Sequence, residues 1–232
     1  MDYQGWIEID RWLLSLVNGS DSVFLDNWMA AMTSGLTWIP LYVSLLFLVV
    51  RNNENMSQIF LFISCSFLCI VLADGLADFI VKPLVQRWRP SNDPIFKYTV
   101  SVVGNMRGSD YGFFSAHAAN TFSIALFFCY LVRSRLLSCS LVAWSLVNCY
   151  TRMYLGLHYP GDILAGLVWG AICGTASYLV CMAVLKRISA KMNYVSSQYT
   201  TSGYDRGDID IVVLVLVLTF IYTIFKSILL YV

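Results

Sequence analysis

The sequence predicts an all-α fold: a polytopic membrane helical bundle of about six transmembrane helices with an N-terminal amphipathic helix. The first observation behind this prediction is the composition. Of the 232 residues, 58% are hydrophobic and 12% are charged, and the mean hydropathy is +0.67. Soluble domains carry about 25% charged residues, so a membrane protein is indicated. The second observation is that apolar runs recur at about the 20-residue length that a helix needs to cross a bilayer.

Six apolar segments are the candidate spans, although the fourth is short and the second contains acidic residues. They lie at residues 28–50, 57–81, 113–132, 136–151, 163–185 and 211–232. The longest polar connections, 82–112 and 186–210, are too short to build a separate core. Residues 1–232 are therefore predicted to form a single membrane-embedded domain.

The first 27 residues differ from a cleaved signal peptide, because they lack a basic start and a long apolar run. Apolar residues such as Trp6, Ile9 and Leu13 instead recur at helical spacing among acidic ones. This pattern predicts an amphipathic helix at the membrane interface. The simpler alternative is a surface-packed helix without a function.

The distribution of basic residues predicts the orientation in the membrane. With six spans, both termini and the connections 82–112 and 152–160 share one face, and each face carries seven Lys and Arg residues. If Lys82, Arg89 and Arg152 are held in a site, four remain against seven on the opposite face. By the positive-inside rule the opposite face is then cytoplasmic and the site faces outward.

Seven polar residues cluster where predicted spans meet the outward-facing connections, and they include both histidines of the chain. They are Lys82, Arg89, Ser115, His117, Arg152, His158 and Asp162. Three cations suit the charge that a phosphate carries as it reacts, and arginine binds phosphate in bidentate fashion. Ser115 is predicted to cap the third span, so that the backbone N–H groups of Ala116 and His117 favour an anion. A phosphate site is therefore predicted.

The two histidines suggest a division of catalytic roles. One attacks phosphorus and the other protonates the departing oxygen. Asp162 follows His158 by four residues and is predicted to orient it, whereas His117 has no nearby acid and suits a proton donor. Each residue also has a simpler explanation, such as a cation at a span end that extends to the interface. The seven cysteines form no CxxC pair, and we expect neither a metal site nor a cofactor.

At these residues the chain resembles the type 2 phosphatidic acid phosphatase superfamily, whose pattern is K-x6-R-P, then P-S-G-H, then S-R-x5-H-x3-D. The first motif is matched by Lys82 to Arg89-Pro90. The second keeps serine and histidine but has Phe114 for proline and Ala116 for glycine. The third has threonine for its first serine and is otherwise complete, at Thr151, Arg152, His158 and Asp162. The motif region spans residues 82–162.

The resemblance implies a metal-independent phosphatase that passes through a phosphohistidine. By position, His158 is the nucleophile, Asp162 its partner and His117 the general acid. The phosphate-binding residues implied are Lys82, Arg89, Ser115, Ala116 and Arg152. Six spans argue against the soluble vanadium-dependent haloperoxidases, which belong to the same superfamily.

The substrate expected from the resemblance is a lipid phosphate, with the bilayer as partner and no nucleic acid. The short chain and outward site resemble small bacterial undecaprenyl-diphosphate phosphatases, so we expect undecaprenyl diphosphate as substrate and the bacterial inner membrane as location. Lipid A, phosphatidylglycerophosphate and phosphatidate are the alternatives. A non-catalytic lipid-phosphate binding protein would need neither histidine, and a transporter would more often show internal repeats.

Two further patterns give structural predictions. Asp74, Asp78 and Lys82 form an i, i+4, i+8 stripe, in which Asp78 is expected to pair with Lys82 while Asp74 lacks an obvious partner. Small residues at 166, 170 and 174, all glycine, predict close helix packing within the bundle, with a dimer interface as the alternative.

Overall fold

The computed structural model describes residues 3–188 and 198–230, and this part of the chain is built from helices and connecting turns without any β-strand. The helices are α1 (Tyr3–Ser15), α2 (Val23–Thr33), α3 (Ile39–Arg51), α4 (Met56–Leu76), α5 (Lys82–Val85), α6 (Ala116–Val132), α7 (Arg135–Tyr154), α8 (Pro160–Ile188) and α9 (Arg206–Leu229). A π-helical turn, Ala77–Val81, joins α4 to α5. The predicted all-α fold class is confirmed.

Each predicted span lies in helical structure, with the first divided between α2 and α3, but fewer than six helices qualify by length and apolarity. Three do so within the described residues, namely Met56–Val85, Pro160–Ile188 and Arg206–Leu229. A fourth is counted if α2 and Gly35–Arg51, which meet at a bend of 66°, form one broken span. Because α6 has only 17 residues and α7 carries several polar side chains, the predicted count of six is not confirmed. The apolar helices make the chain an integral membrane protein.

Helix α6 lies at the centre of the bundle, where it packs against α4, α7 and α8. Its contact with α8 is close because glycines of α8 face its backbone. A Cβ atom added at Gly166, Gly170 or Gly174 would lie 2.5–2.6 Å from the carbonyl oxygen of Ser115, Ala119 or Ser123, respectively. The prediction of close packing within the bundle is therefore confirmed, and the start of α6 is fixed against the start of α8.

The remaining helices surround this centre. Helices α2 and α3 pack against α9, and α1 lies against α8. Trp38, just before α3, is buried and makes edge-to-face contacts with Trp144 of α7 and Phe220 of α9. The large rings fill the space where these three helices meet, and aromatic pairs of this geometry stabilise a core beyond their buried area.

The predicted N-terminal helix is present as α1. Trp6 and Trp12 are exposed, whereas Leu14 is completely buried. Asp10 and Arg11 make contacts with the loops beside α8, as described below. One side of α1 is thus tied to the bundle while its two tryptophans face outward, an arrangement suited to the membrane interface.

Candidate active site

A short backbone pairing brings the 86–115 loop over the turn between α7 and α8. The N–H of Arg89 donates to the carbonyl of Asp110 at 3.0 Å, and the N–H of Gly112 donates to the carbonyl of Arg87 at 2.8 Å. The two segments pair antiparallel around Trp88 and Tyr111. This pairing fixes the backbone of Arg89, which lets its side chain reach the turn that carries His158.

His158 is the centre of the site and is 2% exposed. Its Nε2 lies 2.8 Å from Nη1 of Arg89, and its Nδ1 lies 3.6 Å from Oδ2 of Asp162. A guanidinium only donates hydrogen bonds, so Nε2 is the acceptor and Nδ1 carries the proton, directed toward Asp162. The tautomer required of a nucleophilic Nε2 is therefore the one that Arg89 selects.

The electrostatic surroundings keep His158 neutral. Burial lowers its pKa well below the ordinary value, and the nearby cations Arg89, Arg152 and Lys82 lower it further. A neutral imidazole is the form that attacks an electrophile. Burial also lowers the pKa of Arg89. An arginine titrates so far above neutrality that its guanidinium stays charged.

Asp162 is fully buried and both of its carboxylate oxygens have partners. Oδ1 accepts a hydrogen bond of 2.8 Å from Nη1 of Arg87, and Oδ2 accepts one of 3.1 Å from the N–H of Tyr159. Oδ2 is also the oxygen near His158. At 3.6 Å this contact is longer than a hydrogen bond, so Asp162 faces the ring of His158 mainly as a charge.

Arg87 and Asp10 belong to the site although the sequence did not single them out as functional. Nη2 of Arg87 lies 2.5 Å from Oδ2 of Asp10, and its guanidinium stacks on the ring of Tyr159 at 4.5 Å. Oδ1 of Asp10 accepts a hydrogen bond of 2.8 Å from the N–H of Gly161 in the first turn of α8. Burial acts to lower the pKa of Arg87, but the carboxylates of Asp162 and Asp10 outweigh it and raise the pKa.

Arg152 and His117 also lie near His158. Nη1 of Arg152 donates a hydrogen bond of 2.8 Å to the hydroxyl of Thr33, the last residue of α2. Arg152 interacts electrostatically with both His117 and His158. The structure therefore places three predicted residues close together: the proton donor His117, the nucleophile His158 and the phosphate-binding Arg152.

Two guanidinium groups in the site have an unused donor. The Nε atoms of Arg89 and Arg152 are buried and have no hydrogen-bond partner among the described residues. A buried donor without an acceptor costs about 1–3 kcal/mol. An oxyanion bound by these side chains would remove that cost, and both arginines lie close to His158. The region around His158 is therefore suited to a phosphate.

The N-terminus of α6 adds backbone donors to the same space. Ser115 is fully buried and caps the helix, with its hydroxyl accepting from the N–H of Ala118 at 3.4 Å. Its own N–H donates to the carbonyl of Asp162. Ala116 and His117 form the first turn, in which helix N–H groups lack intrahelical acceptors. The predicted cap is confirmed.

The structure accounts for two of the three departures from the family pattern, one by helix geometry and one by packing. Ala116 is the first residue of α6 and has helical backbone angles, so the position does not require glycine. Phe114 is buried, and its ring packs against Phe113 and Trp169. The larger side chain extends the apolar wall beside α8.

The acidic stripe of α4 agrees only partly with prediction. Lys82 forms an ion pair with Asp78, as expected, and is close enough to both histidines to interact electrostatically. The expectation that Asp74 lacks a partner is wrong. Its Oδ1 accepts a hydrogen bond of 2.7 Å from the side-chain amide of Asn120 on α6.

The structure thus brings all eight predicted site residues to one region, around the N-termini of α6 and α8. Within the described residues, no three His, Cys, Asp or Glu side chains are arranged to hold a metal ion. Arg87, Asp10 and Thr33 are the neighbours that sequence reasoning missed. Arg87 alone gave a signal, because it lies two residues before Arg89 within the first motif.

Comparison with known proteins supports the same family. The profile of the PAP2 superfamily matches residues 63–196, which contain the whole motif region. The lipid A 4'-phosphatase of Bacteroides thetaiotaomicron is 39% identical over 185 residues, covering 79% of this chain and 81% of the relative. The lipid A 4'-phosphatase of Porphyromonas gingivalis is 30% identical over 183 residues, covering 78% and 76%.

A more distant relative is the lipid phosphate phosphatase delta of Arabidopsis thaliana, which is 29% identical over 150 residues, covering 59% of this chain and 35% of the relative. No solved structure matches the chain significantly. The profile match covers more than half of the chain, and the resemblance inferred from the motifs is confirmed. The chain belongs to the PAP2 superfamily, the type 2 phosphatidic acid phosphatases.

Proposed function

We propose that this protein, a membrane phosphatase acting on lipid phosphates, removes the 4'-phosphate of lipid A. The observation that carries the phosphatase reaction is that Arg89 and Arg152, each with a buried and unpartnered Nε donor, both lie close to His158. The observation that favours lipid A is the similarity to two bacterial lipid A 4'-phosphatases along more than three-quarters of the chain. The comparisons give no support to undecaprenyl diphosphate, the substrate preferred from sequence.

The proposed reaction begins with attack of Nε2 of His158 on the phosphorus atom. The new N–P bond forms as the bond between phosphorus and the lipid oxygen breaks, and His117 donates a proton to that departing oxygen. Arg89, Arg152 and Lys82 neutralise the charge on the equatorial oxygens. The Nδ1 proton of His158 turns toward Asp162, whose negative charge stabilises the ring as it becomes positive.

The second step releases inorganic phosphate. Water attacks phosphorus in the phosphohistidine, His117 takes the proton of that water, and the N–P bond breaks to return His158 to its neutral form. The backbone N–H groups at the start of α6 bind the oxygens throughout. In this scheme, Asp162 and Ser115 keep the reacting groups in place. The reaction consumes one water and needs no metal ion.

We further propose the inner membrane of a bacterium as the location, with the site on the outward face. The orientation follows from the distribution of basic residues, since Lys82, Arg89 and Arg152 lie together in the site and are set aside from the positive-inside comparison. Attachment of a reporter to each terminus tests this orientation. A cytoplasmic location of both termini would contradict it.

The decisive experiment is a phosphate-release panel on purified protein in detergent with EDTA. The panel contains lipid A, undecaprenyl diphosphate, phosphatidylglycerophosphate and phosphatidate, with His158→Ala as the inactive control. We expect release from lipid A at the highest kcat/KM, with mass spectrometry locating the loss at the 4' position. Faster release from another lipid would contradict the proposed substrate. Folded protein that binds these lipids but releases no phosphate would contradict the enzyme itself and favour a lipid-phosphate binding protein.

A further inference from the structure

The N-terminal helix reaches the catalytic carboxylate through a chain of ion pairs. Asp10 on α1 contacts Nη2 of Arg87, and Nη1 of Arg87 contacts Oδ1 of Asp162 at 2.8 Å. The side chains are 13%, 19% and 0% exposed, respectively. Ion pairs this well shielded are screened little by solvent, so each partner strongly affects the position and charge of the next.

The guanidinium of Arg87 is shared between two carboxylates, one on each terminal nitrogen. This sharing matters because arginine with a single carboxylate tends to bind both of its oxygens in bidentate fashion. Here Arg87 takes only Oδ1 of Asp162. Oδ2 is left to accept from the N–H of Tyr159 and to face Nδ1 of His158.

We propose that Asp10 and Arg87 are positioning residues, which hold the Asp162 carboxylate so that Oδ2 faces His158, and that α1 is thereby a part of the active site. The inference deepens the proposed function, since it rests on His158 as the nucleophile. Neither residue touches the substrate. Asp10 acts by binding Nη2 of Arg87, and Arg87 acts by fixing the rotation of the Asp162 carboxylate.

A second contact of α1 provides a matched control. Nη2 of Arg11 lies 3.0 Å from Oδ2 of Asp93, and its guanidinium stacks on Phe96. This pair also ties α1 to the loop beside the site, but neither Arg11 nor Asp93 binds the Asp162 carboxylate directly. Asp93 is linked to it through Tyr159, whose hydroxyl donates to Oδ2 of Asp93 at 3.1 Å. If α1 matters only because it is anchored, loss of either pair will have the same effect.

The charge-sharing argument predicts opposite changes at His158. In Asp10→Asn, Nη2 of Arg87 loses its carboxylate partner. The guanidinium then turns to Asp162 and binds both of its oxygens, which draws Oδ2 away from Nδ1 of His158. In Arg87→Gln the carboxylate is released and moves closer to Nδ1. Both substitutions break the same ion pair, so a loosened α1 alone would change His158 in one direction only.

The composition of the chain makes His158 directly observable. Only two histidines are present, so labelling with 15N-histidine gives signals from two rings, each with an Nδ1 and an Nε2, and His117→Gln assigns them. At pH 7 the chemical shift of the Nδ1 proton reports how closely Oδ2 of Asp162 approaches Nδ1, which lies 3.6 Å away in the native protein. Groups that face His158 are Lys82, Arg89, His117, Arg152 and Asp162, and all of these remain unchanged in the variants compared. We expect an upfield shift of this proton in Asp10→Asn, a downfield shift in Arg87→Gln, and no change in Arg11→Gln.

Kinetics supply the second measurement, on any lipid phosphate that the native protein hydrolyses. We expect kcat to fall about 10- to 100-fold in Asp10→Asn and Arg87→Gln, the range that loss of an outer hydrogen bond to a metal-bound histidine produces, while KM stays near the native value. The double variant should be no slower than Arg87→Gln, because the asparagine side chain keeps an oxygen acceptor for the N–H of Gly161 and the lost charge acts through Arg87. Asp10→Glu should recover part of kcat, since it keeps the charge.

The proposal is overturned if both variants move the His158 proton in the same direction, if neither moves it, or if the two losses in kcat multiply. Should Asp10→Asn fail to fold, Gly161→Ala provides the same test, because its Cβ would lie 2.6 Å from Oδ2 of Asp10 and displace that carboxylate without removing its charge. The spectroscopic result requires no substrate. A wrong substrate assignment would therefore leave the test of α1 intact.

Discussion

The closeness of α6 and α8 leads to a prediction about Gly166. A Cβ atom at this position would lie 2.6 Å from the carbonyl oxygen of Ser115, whereas ordinary contacts begin at 3.4 Å. The Gly166→Ala substitution therefore moves Ser115 and the start of α6 by about 0.8 Å relative to α8. His117 is on the moving helix and Asp162 is on the other, so the substitution separates the two halves of the site.

The expected magnitude is large for activity and moderate for stability. A misplacement of about 1 Å between reacting groups costs on the order of 10²-fold in rate. Overpacking costs about 1–3 kcal/mol, and each kcal/mol lowers the melting temperature by about 2–4 °C for a chain of this size. We expect kcat of Gly166→Ala to fall about 10²-fold.

Substitutions at two other glycines distinguish a loss of activity caused by displaced site residues from one caused by lower stability. Gly174→Ala creates the same crowding, with its Cβ 2.5 Å from the carbonyl oxygen of Ser123, but it lies two turns farther along α8. Gly75→Ala is also in a helix and meets nothing within 4 Å. All three substitutions gain the same helix propensity. The difference in melting temperature from Gly75→Ala therefore measures the destabilisation that steric crowding alone produces.

The assay measures kcat on the native lipid substrate and the melting temperature in detergent for all three variants. Gly166→Ala and Gly174→Ala should both melt roughly 2–12 °C below Gly75→Ala. Only Gly166→Ala should lose most of its kcat. Equal kcat values for Gly166→Ala and Gly75→Ala would refute the claim that the α6–α8 contact sets the geometry of the site.

Three further predictions concern individual side chains of the site. Because burial and the surrounding cations lower the pKa of His158 in the substrate-free protein, its protonation should not halve kcat/KM near the ordinary histidine value of about 6.5. A pH profile of kcat/KM checks this, and a midpoint at about 6.5 would contradict it. Arg152→Lys keeps the charge but loses the buried Nε donor, so kcat should fall on the order of 10²-fold at unchanged melting temperature. Asp78→Asn breaks a half-exposed ion pair with Lys82, and kcat/KM should fall by less than about fivefold in steady-state assays.

The sequence was sufficient to predict the main residues of the site because local rules govern them. Ser115 caps α6 because a hydroxyl before an apolar run satisfies free N–H groups, and Lys82 pairs with Asp78 because side chains four apart share a helix face. Glycine at every fourth position of α8 predicted its close packing for the same reason. In each case a helix of known pitch converts spacing into contact.

Contacts between distant segments were not predictable in this way. Asp10 and Arg87 are 77 residues apart, and the first 27 residues contain four other acids with equal claim to a partner. Asp74 and Asn120 are separated by 46 residues, so the expectation of an unpartnered Asp74 was wrong. Hydropathy did not show the 66° bend after α2 or that α6 is only 17 residues long, because both depend on how the bundle packs.

The bend after α2 lies next to a contact between the leading segment of the chain and the candidate site. It brings Thr33 to the guanidinium of Arg152, yet Thr33 lies outside residues 63–196, the part that the superfamily shares. Asp10 also lies outside that part. A chimera that exchanges residues 1–62 between relatives would therefore carry the common reaction chemistry on a different frame. Its rate would then change through the contacts of Thr33 and Asp10, although every residue of the three motifs is kept.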